Sequence, residues 1–171
     1  MADEEIERMN KIQLATFAAG CFWHVEEAFS RIKGVVNVTS GYVGGKMKNP
    51  SYKDVCSDET GHAEAVQVEF DPKQVSYDKL LDKFWEIHDP TSYHKQGPDV
   101  GSQYRAAIFY HNENQKQAAL KSKQKLQKSE KYKGKKIVTE IVKATKFYKA
   151  EEYHQKYFQK HKLQKMFMCR V

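Results

Sequence analysis

The order of predicted strands and helices constrains this chain more than any other feature of its sequence. Apolar and β-branched residues indicate strands at 11–18, 35–43, 63–70 and 104–110, and helical spacing of apolar residues follows Gly20 and Ser76. The first six elements therefore run β-α-β-β-α-β. This order predicts the α+β class, as a two-layer ferredoxin-like plait in which helices pack on a mixed β-sheet.

A doubly wound parallel sheet is the alternative fold for such a chain. It requires a crossover helix between strands 35–43 and 63–70, because parallel neighbours cannot be joined by a short turn. The connecting segment is a polar loop that contains Gly and Pro. The sequence therefore favours the plait, with a further helix near 113–131, a strand near 136–142 and a helix near 149–161.

The length of 171 residues predicts a single domain over residues 1–171. We expect residues 1–10 to form an acidic N-terminal extension and residues 162–171 a mobile C-terminal tail that carries Cys169. No apolar run approaches the roughly 18 residues of a membrane-spanning helix, and the acidic N-terminus differs from a secretion signal. We therefore expect a cytoplasmic monomer that does not bind membranes.

The positive charge is concentrated in one part of the chain. The net charge is +7 overall, but it is −6 up to Gln115 and +13 beyond it. Lysine dominates the basic part, which is typical of a solvated protein surface, whereas phosphate-binding proteins usually carry an arginine cluster. We expect no nucleic-acid partner, although a basic nucleic-acid-binding module remains an alternative reading.

Cys21 is the first candidate for a reactive group, because it lies at a predicted strand-to-helix turn. The free amides and partial positive charge of a helix N-terminus favour a thiolate. Phe22 continues the buried stripe of the helix, and Trp23 lies at its flank, where it could line an apolar pocket. A small buried residue that fills the turn is the alternative reading of Cys21.

Glu64 is the second candidate, because it shares strand parity with the apolar residues Val66, Val68 and Phe70. A carboxyl group on a buried face has a raised pKa and stays protonated near neutrality, which makes it a candidate proton donor. The alternative is a glutamate at the sheet edge that reaches solvent or a salt bridge.

Two polar loops, 44–62 and 89–102, are predicted to carry function, and Tyr52, Asp99 and Tyr104 border them. Phenol groups are suitable hydrogen-bond donors to a polar oxygen in a pocket. The histidines show no metal-ligand spacing with a cysteine, so we expect no metal site. A cysteine hydrolase that uses a histidine base remains an alternative, with His24, His62 or His154 in that role.

The three cysteines form too sparse a set for a disulfide framework, which favours a reducing compartment. Cys169 lies in the C-terminal tail and could reach another thiol. Cys56 reads as a packing residue.

Six blocks of sequence resemble the A-type peptide methionine sulfoxide reductases, in the order and spacing of that family from about residue 12 to 158. They are GCFW (20–23), GYVGG (41–45), NPSYKDVCSDETGHAEAVQVEFDP (49–72), IHDPTS (87–92), QGPDVGSQYRAAIFYHNENQ (96–115) and EEYHQKY (151–157).

The resemblance implies a role for each candidate side chain. It implies a nucleophile (Cys21), a pocket for the S-methyl group (Phe22 and Trp23), a proton donor (Glu64), groups that bind the sulfoxide oxygen and the polar part of the substrate (Tyr52, Tyr104 and Asp99), and a supporting residue nearby (His154).

The resemblance also implies the reaction. Family members reduce the S epimer of methionine sulfoxide, free or in proteins, without a metal or organic cofactor, and thioredoxin recycles them. Cys21 would become a sulfenic acid that a second thiol converts to a disulfide, and the activity would repair proteins after oxidative damage. The chain departs from the family in two ways: His24 stands where the family usually has glycine, and the tail offers Cys169 as resolving thiol without a glycine-rich segment.

Overall fold

The computed structural model describes residues 2–9 and 11–162, which form six α-helices and eight β-strands. The helices are α1 (Ala2–Met9), α2 (Phe22–Ser30), α3 (Tyr52–Cys56), α4 (Tyr77–Glu86), α5 (Glu113–Gln127) and α6 (Tyr157–Lys160). The strands are β1 (Gln13–Ala19), β2 (Val35–Val43), β3 (Ala63–Phe70), β4 (Lys95–Gln96), β5 (Asp99–Val100), β6 (Ala106–Tyr110), β7 (Glu140–Lys143) and β8 (Tyr148–Lys149). Cys169 and residues 163–171 of the predicted tail lie outside the described residues.

Six of the strands form one sheet in the order β7-β6-β1-β3-β2-β8. The four strands β6-β1-β3-β2 pair antiparallel, in the order that the ferredoxin-like plait requires. Strands β2 and β3 are direct antiparallel neighbours, which excludes the doubly wound alternative. The parallel pairing of β6 with β7 makes the sheet mixed, so the predicted fold class is confirmed.

The core lies between the sheet and the helices α2 and α4. Phe17 of β1 stacks on Phe29 of α2, with ring centroids 5.0 Å apart, and on Phe84 of α4, at 5.2 Å. All three rings are fully buried. Burying side chains of this kind stabilises the fold by roughly 1.5–3 kcal/mol each, so these contacts attach both helices to the central strand.

The sheet register brings the two main candidate residues to one end of the sheet. Strand β1 pairs with β3 so that Phe17 faces Val66, and the chain then reaches Cys21 just beyond β1 while Glu64 lies at the start of β3. Gly20 makes the turn with a φ of 88°, and an added Cβ would lie 2.8 Å from Cβ of Gln96. Only glycine fits this turn without strain.

The predicted helix near 149–161 is wrong. This part of the chain instead contains β8, a 3₁₀ turn at Glu152–His154 and the short helix α6. The predicted strand near 136–142 is shorter and lies at Glu140–Lys143, and the predicted helix near 113–131 ends at Gln127. The loop 44–62 contains α3, which the sequence analysis did not predict.

None of the helices within residues 2–9 and 11–162 has the length and hydropathy needed to cross a membrane.

Candidate active site

Cys21 occupies the N-cap of α2, as the sequence predicted. Burial raises the pKa of its thiol to about 12, and the nearby charge of Glu64 adds to this effect. The backbone amides of Trp23 and His24 act in the opposite direction and favour the thiolate. The expectation of a thiolate in the free protein is therefore wrong, because burial outweighs the helix N-terminus and the sulfur keeps its proton at neutral pH.

Glu64 is buried on the helix-covered face of the sheet, with 1% of its surface exposed. The amide of Phe22 lies 3.4 Å from Oε1, while Oε2 has no hydrogen-bond partner among the described residues. Burial raises the pKa of Glu64 to about 8; the Phe22 amide and the Tyr104 hydroxyl oppose this, whereas the charge of Asp99 reinforces it. The predicted protonated carboxyl group is thus present at neutral pH, beside the N-terminal turn that holds Cys21.

Tyr52 and Tyr104 supply two hydroxyl groups close to this carboxyl group. Tyr52 begins α3, and Tyr104 ends a 3₁₀ turn over Ser102–Tyr104. Burial raises the pKa of both phenols, and the charge of Glu64 contributes to both shifts. Asp99 is half-buried in β5, and its charge contributes to the raised pKa values of Tyr104, Glu64 and Cys21. The structure therefore brings together two phenol donors, a protonated carboxyl group and a thiol.

His154 lies at the centre of an aromatic cluster, although the family resemblance implied only a supporting role for it. Its Nδ1 accepts a hydrogen bond from Nε1 of Trp23 at 3.0 Å. The rings of Phe22 and Tyr52 pack against it at centroid distances of 5.1 and 4.4 Å. Burial lowers the pKa of His154, so the ring is neutral at neutral pH. Three candidate aromatic side chains thus contact one buried imidazole.

Tyr157 is a site residue that the sequence analysis did not single out. Its ring stacks on the indole of Trp23 with centroids 3.7 Å apart and planes 5° apart. The indole is therefore held by a hydrogen bond at its edge and by a ring on its face. The block EEYHQKY contains both partners, but only their three-dimensional arrangement shows that they meet at Trp23.

Glu151 is a second residue that sequence reasoning missed. Its carboxylate accepts hydrogen bonds from the hydroxyl of Tyr42, the amide of Tyr52 and the hydroxyl of Tyr153, each at 3.1 Å. Burial opposes ionisation, but these donors together lower its pKa. The contact with the Tyr52 amide joins α3 to the chain around His154, so Glu151 sets the separation of two walls of the site.

The remaining thiols lie in different surroundings. Cys56, at the end of α3, is exposed, which contradicts its reading as a packing residue, and its sulfur interacts with the Tyr52 hydroxyl one helical turn earlier. The structure does not test Cys169, which lies outside the described residues. Over residues 2–9 and 11–162, no group of three or more histidine, cysteine or acidic side chains is arranged to hold a metal ion.

The family model for peptide methionine sulfoxide reductase matches residues 13–170. The chain is 61% identical over 149 residues to the peptide methionine sulfoxide reductase MsrA of Methanosarcina acetivorans, covering 87% of this chain and 79% of that protein. It is 50% identical over 163 residues to MsrA of Methanothermobacter thermautotrophicus, covering 95% of this chain and 96% of the relative.

Solved structures with the same fold are also similar. Reduced Mxr1 from Saccharomyces cerevisiae superposes with a TM-score of 0.84 at 38% identity, over 90% of this chain and 88% of Mxr1. Mxr1 in complex with Trx2 superposes with a TM-score of 0.62 at 30% identity, over 86% of each chain.

Proposed function

The chain belongs to the peptide methionine sulfoxide reductase family, and we propose that it reduces methionine S-sulfoxide with Cys21 as nucleophile and Glu64 as proton donor. The membership confirms the family resemblance and the enzyme class predicted from the sequence. The roles of the residues other than Cys169 rest on the geometry of the described residues and on the family resemblance.

The observation that carries the proposal is a carboxyl group with a pKa of about 8, buried beside the turn of Cys21. Reduction of a sulfoxide needs a nucleophile at sulfur and a proton at oxygen. A carboxyl group with its ordinary pKa is ionised at neutrality and cannot supply that proton. Burial keeps the proton on Glu64, so the acid is ready when the substrate arrives.

The reaction conserves atoms and electrons. The thiol of Cys21 releases its proton to solvent as its sulfur bonds to the sulfoxide sulfur, and Glu64 gives its proton to the sulfoxide oxygen. The resulting hydroxyl group then moves to the Cys21 sulfur as the bond between the two sulfurs breaks. This step leaves a sulfenic acid on Cys21 and the thioether of methionine with its lone pair restored. The substrate is reduced by two electrons and Cys21 is oxidised by two. Solvent then returns a proton to Glu64.

The thiol of Cys21 has to lose its proton during the attack despite its raised pKa. Glu64 is already protonated at neutral pH and carries no charge there, so burial is the main cause that opposes the thiolate. The amides of Trp23 and His24 stabilise negative charge on the sulfur as it develops. We therefore expect the thiolate to form during attack, and not in the free enzyme.

The aromatic residues hold the substrate. Phe22 and Trp23 provide apolar surface for the S-methyl group, and His154 supports the indole of Trp23. The hydroxyls of Tyr52 and Tyr104 donate to the sulfoxide oxygen, since both phenols stay protonated. Asp99 binds the polar part of the substrate. These contacts place the sulfoxide sulfur over Cys21 and its oxygen toward Glu64.

Recycling needs a second thiol and an external dithiol. Cys169 attacks the sulfenic acid of Cys21, which releases water and forms a disulfide. Thioredoxin then reduces this disulfide. The structure of the relative Mxr1 in complex with Trx2 supports a thioredoxin as the reductant. No cofactor takes part in these steps.

The activity repairs oxidised methionine in proteins and also reduces the free amino acid under oxidative stress. We also propose a cytoplasmic monomer, and the three sparse cysteines suit the reducing compartment. The cysteine hydrolase considered from the sequence is less well supported. The side chains that shift the pKa of Cys21 are the carboxylates of Glu64 and Asp99, whereas a cysteine hydrolase needs an imidazole base there.

The test is reduction of a synthetic peptide that contains methionine S-sulfoxide, with dithiothreitol as reductant. The parent chain should convert the sulfoxide to methionine, and Cys21→Ser should abolish turnover. Cys56→Ser is the matched control, because it removes an exposed thiol, and it should retain activity. Turnover by Cys21→Ser near the parent rate would exclude Cys21 as nucleophile, and an inactive parent chain would exclude the proposed function.

A further inference from the structure

Glu26, a second buried acidic residue besides Glu64, lies on α2, the helix that also carries the indole of Trp23. Glu26 is 4% exposed and follows Trp23 by one helical turn on α2. Its Oε1 accepts the amide N–H of Lys156 at 2.8 Å, its Oε2 lies 3.0 Å from the same nitrogen, and the hydroxyl of Ser40 donates to Oε2 at 3.1 Å. Both oxygens of Glu26 therefore have a partner.

Stability alone is a poor reason for such a carboxylate. Burying a charge is costly, and replacing buried charges by apolar groups of similar size is often neutral or stabilising. The partners of Glu26 are a backbone amide and a hydroxyl, so its effect is to hold the backbone of Lys156 in one place.

The backbone that Glu26 holds has an uncommon conformation. Lys156 has φ 52° and ψ 40°, the left-handed region, which is strained for a residue other than glycine. Such a conformation persists only when the surrounding contacts determine it. Gln155 adds to these contacts, because its amide group pairs with the backbone N–H and C=O of Ser40 at 2.9 and 2.8 Å.

The turn at Lys156 separates the two residues that contact Trp23. His154 precedes the turn and accepts the indole N–H, whereas Tyr157 follows it and stacks on the indole face. The relative placement of these two contacts depends on the backbone angles at Lys156. A change in the turn would therefore move one contact on Trp23 relative to the other.

We infer that Glu26 is a positioning residue for sulfoxide reduction, whose carboxylate fixes the Lys156 turn and through it the indole of Trp23. The inference rests on the proposed function, in which Trp23 lines the pocket for the S-methyl group. Glu26 does not touch the substrate. Glu26 affects substrate binding and the preference for a methyl group over a larger group on the sulfoxide sulfur. It does not affect the proton transfer from Glu64.

The test compares Glu26→Gln and Glu26→Leu with Glu27→Gln. The control substitution makes the same change on the neighbouring residue of α2, whose partly exposed carboxylate pairs with the exposed guanidinium of Arg31 at 2.7 Å. Steady-state and single-turnover kinetics are measured with methionine S-sulfoxide and with its ethyl homologue. The indole N–H signals of the two tryptophans, Trp23 and Trp85, are followed by NMR and assigned with Trp85→Phe.

Both Glu26 variants should raise KM for the methyl substrate about tenfold, with the single-turnover rate at saturation close to that of the parent. The preference for methyl over ethyl should fall about fivefold, which is part of the roughly 10- to 200-fold discrimination that one methylene provides in an apolar pocket. The indole signal of Trp23 should shift in both variants, while Glu27→Gln matches the parent in every measurement.

Parent-like KM, substrate preference and Trp23 signal in Glu26→Gln would overturn the inference. A loss of activity without a shifted Trp23 signal would also overturn it, as would an equal loss in Glu27→Gln, because either result indicates a general effect on the fold. If Glu26→Leu does not fold, the measurements on Glu26→Gln alone decide the test. Inactivity of the parent chain would contradict the proposed function, and the Trp23 signal would still report whether Glu26 positions the indole.

Discussion

The indole N–H of Trp23 donates to Nδ1 of His154 over 3.0 Å, although 131 residues separate them in the chain. An imidazole nitrogen accepts a hydrogen bond only when it carries no proton, so the proton of the neutral ring resides on Nε2. Burial lowers the pKa of His154, which keeps this arrangement intact at neutral pH. The protonation state of His154 thus determines whether the indole edge has a partner.

Replacing His154 by leucine should raise KM for a methionine sulfoxide peptide by about tenfold, since a lost hydrogen bond and the resulting unpaired indole N–H weaken the pocket wall. The single-turnover rate at saturating substrate should change much less. His111→Leu is the control, because His111 binds Thr16 in another part of the sheet. A reduced single-turnover rate with unchanged KM would place His154 in the chemical step instead.

Glu64→Gln should slow the chemical step by about 10²-fold or more while substrate binding persists, because the amide keeps the shape of the side chain but supplies no acidic proton. The parent rate should fall as pH rises through about 8, where Glu64 loses its proton, and the variant should lack this dependence. Glu69→Gln on the same strand serves as control, since Glu69 binds Asn37 at the surface. An unaltered kcat and pH profile would show that the donor lies elsewhere.

The same substitution should change the pH dependence of stability. The pKa of Glu64 is raised from 4.5 to about 8 in the folded chain, so the folded state holds a proton that the unfolded state releases between these values. Its contribution to stability is complete below about pH 4.5 and is lost as pH rises toward 8. The difference in free energy of unfolding, Glu64→Gln minus parent, should therefore increase by roughly 1 kcal/mol for each unit of rising pH across this window. Urea denaturation at several pH values measures the difference, and parallel curves would contradict the raised pKa.

Cys169→Ser should retain one stoichiometric turnover and activity with dithiothreitol, and should lose most of its thioredoxin-supported turnover. The tail residues 163–171 can extend about 3.3 Å each, which allows a thiol near its end to approach a site elsewhere on the domain. Mass spectrometry after a single turnover should find a disulfide between Cys21 and Cys169 in the parent chain.

Cys56 is the competing partner for the oxidised Cys21. It lies exposed at the end of α3, and its sulfur interacts with Tyr52. A disulfide between Cys21 and Cys56, or a persistent sulfenic acid with the other thiols free, would show that Cys169 is not the resolving thiol. The variant Cys56→Ser should leave the bond between Cys21 and Cys169 unchanged.

The central sheet was predictable because its strands carry their own pattern. Alternation and β-branched residues predicted strands at 35–43 and 63–70, and β2 and β3 have these same bounds. The parity of Glu64 with Val66 also predicted its burial, since side chains two residues apart share a face of the sheet. Here local sequence and tertiary packing favour the same structure.

The C-terminal part was not predictable in this way, because side chains from distant elements determine its backbone. The Lys156 amide bonds to Glu26 and Gln155 pairs with Ser40, so these groups replace the hydrogen bonds of the helix expected near 149–161. Helix α3, in contrast, has a local signal in the sequence, because Ser51 and Asp54 form a capping box at its N-terminus.

The pKa of Cys21 was misjudged for a related reason. The helix N-terminus is a local feature and is visible in the sequence, whereas burial depends on what packs over the turn. Burial is the larger effect on the thiol, and the charge of Glu64 adds to it. Sequence reasoning therefore predicted the position of Cys21 at the helix N-terminus but not the protonation state of its thiol.

The pairing of β1 with β3, the two middle strands of the six-stranded sheet, places Cys21 just beyond the end of β1 and Glu64 at the start of β3. Strands flanked on both sides open to solvent only when the whole domain unfolds, whereas short terminal elements such as α6 open at lower free energy. We expect slow amide hydrogen exchange through β1 and β3 and faster exchange around Tyr157. Mild denaturant should therefore weaken substrate binding first, and leave Cys21 and Glu64 side by side in molecules that no longer recognise a methyl sulfoxide.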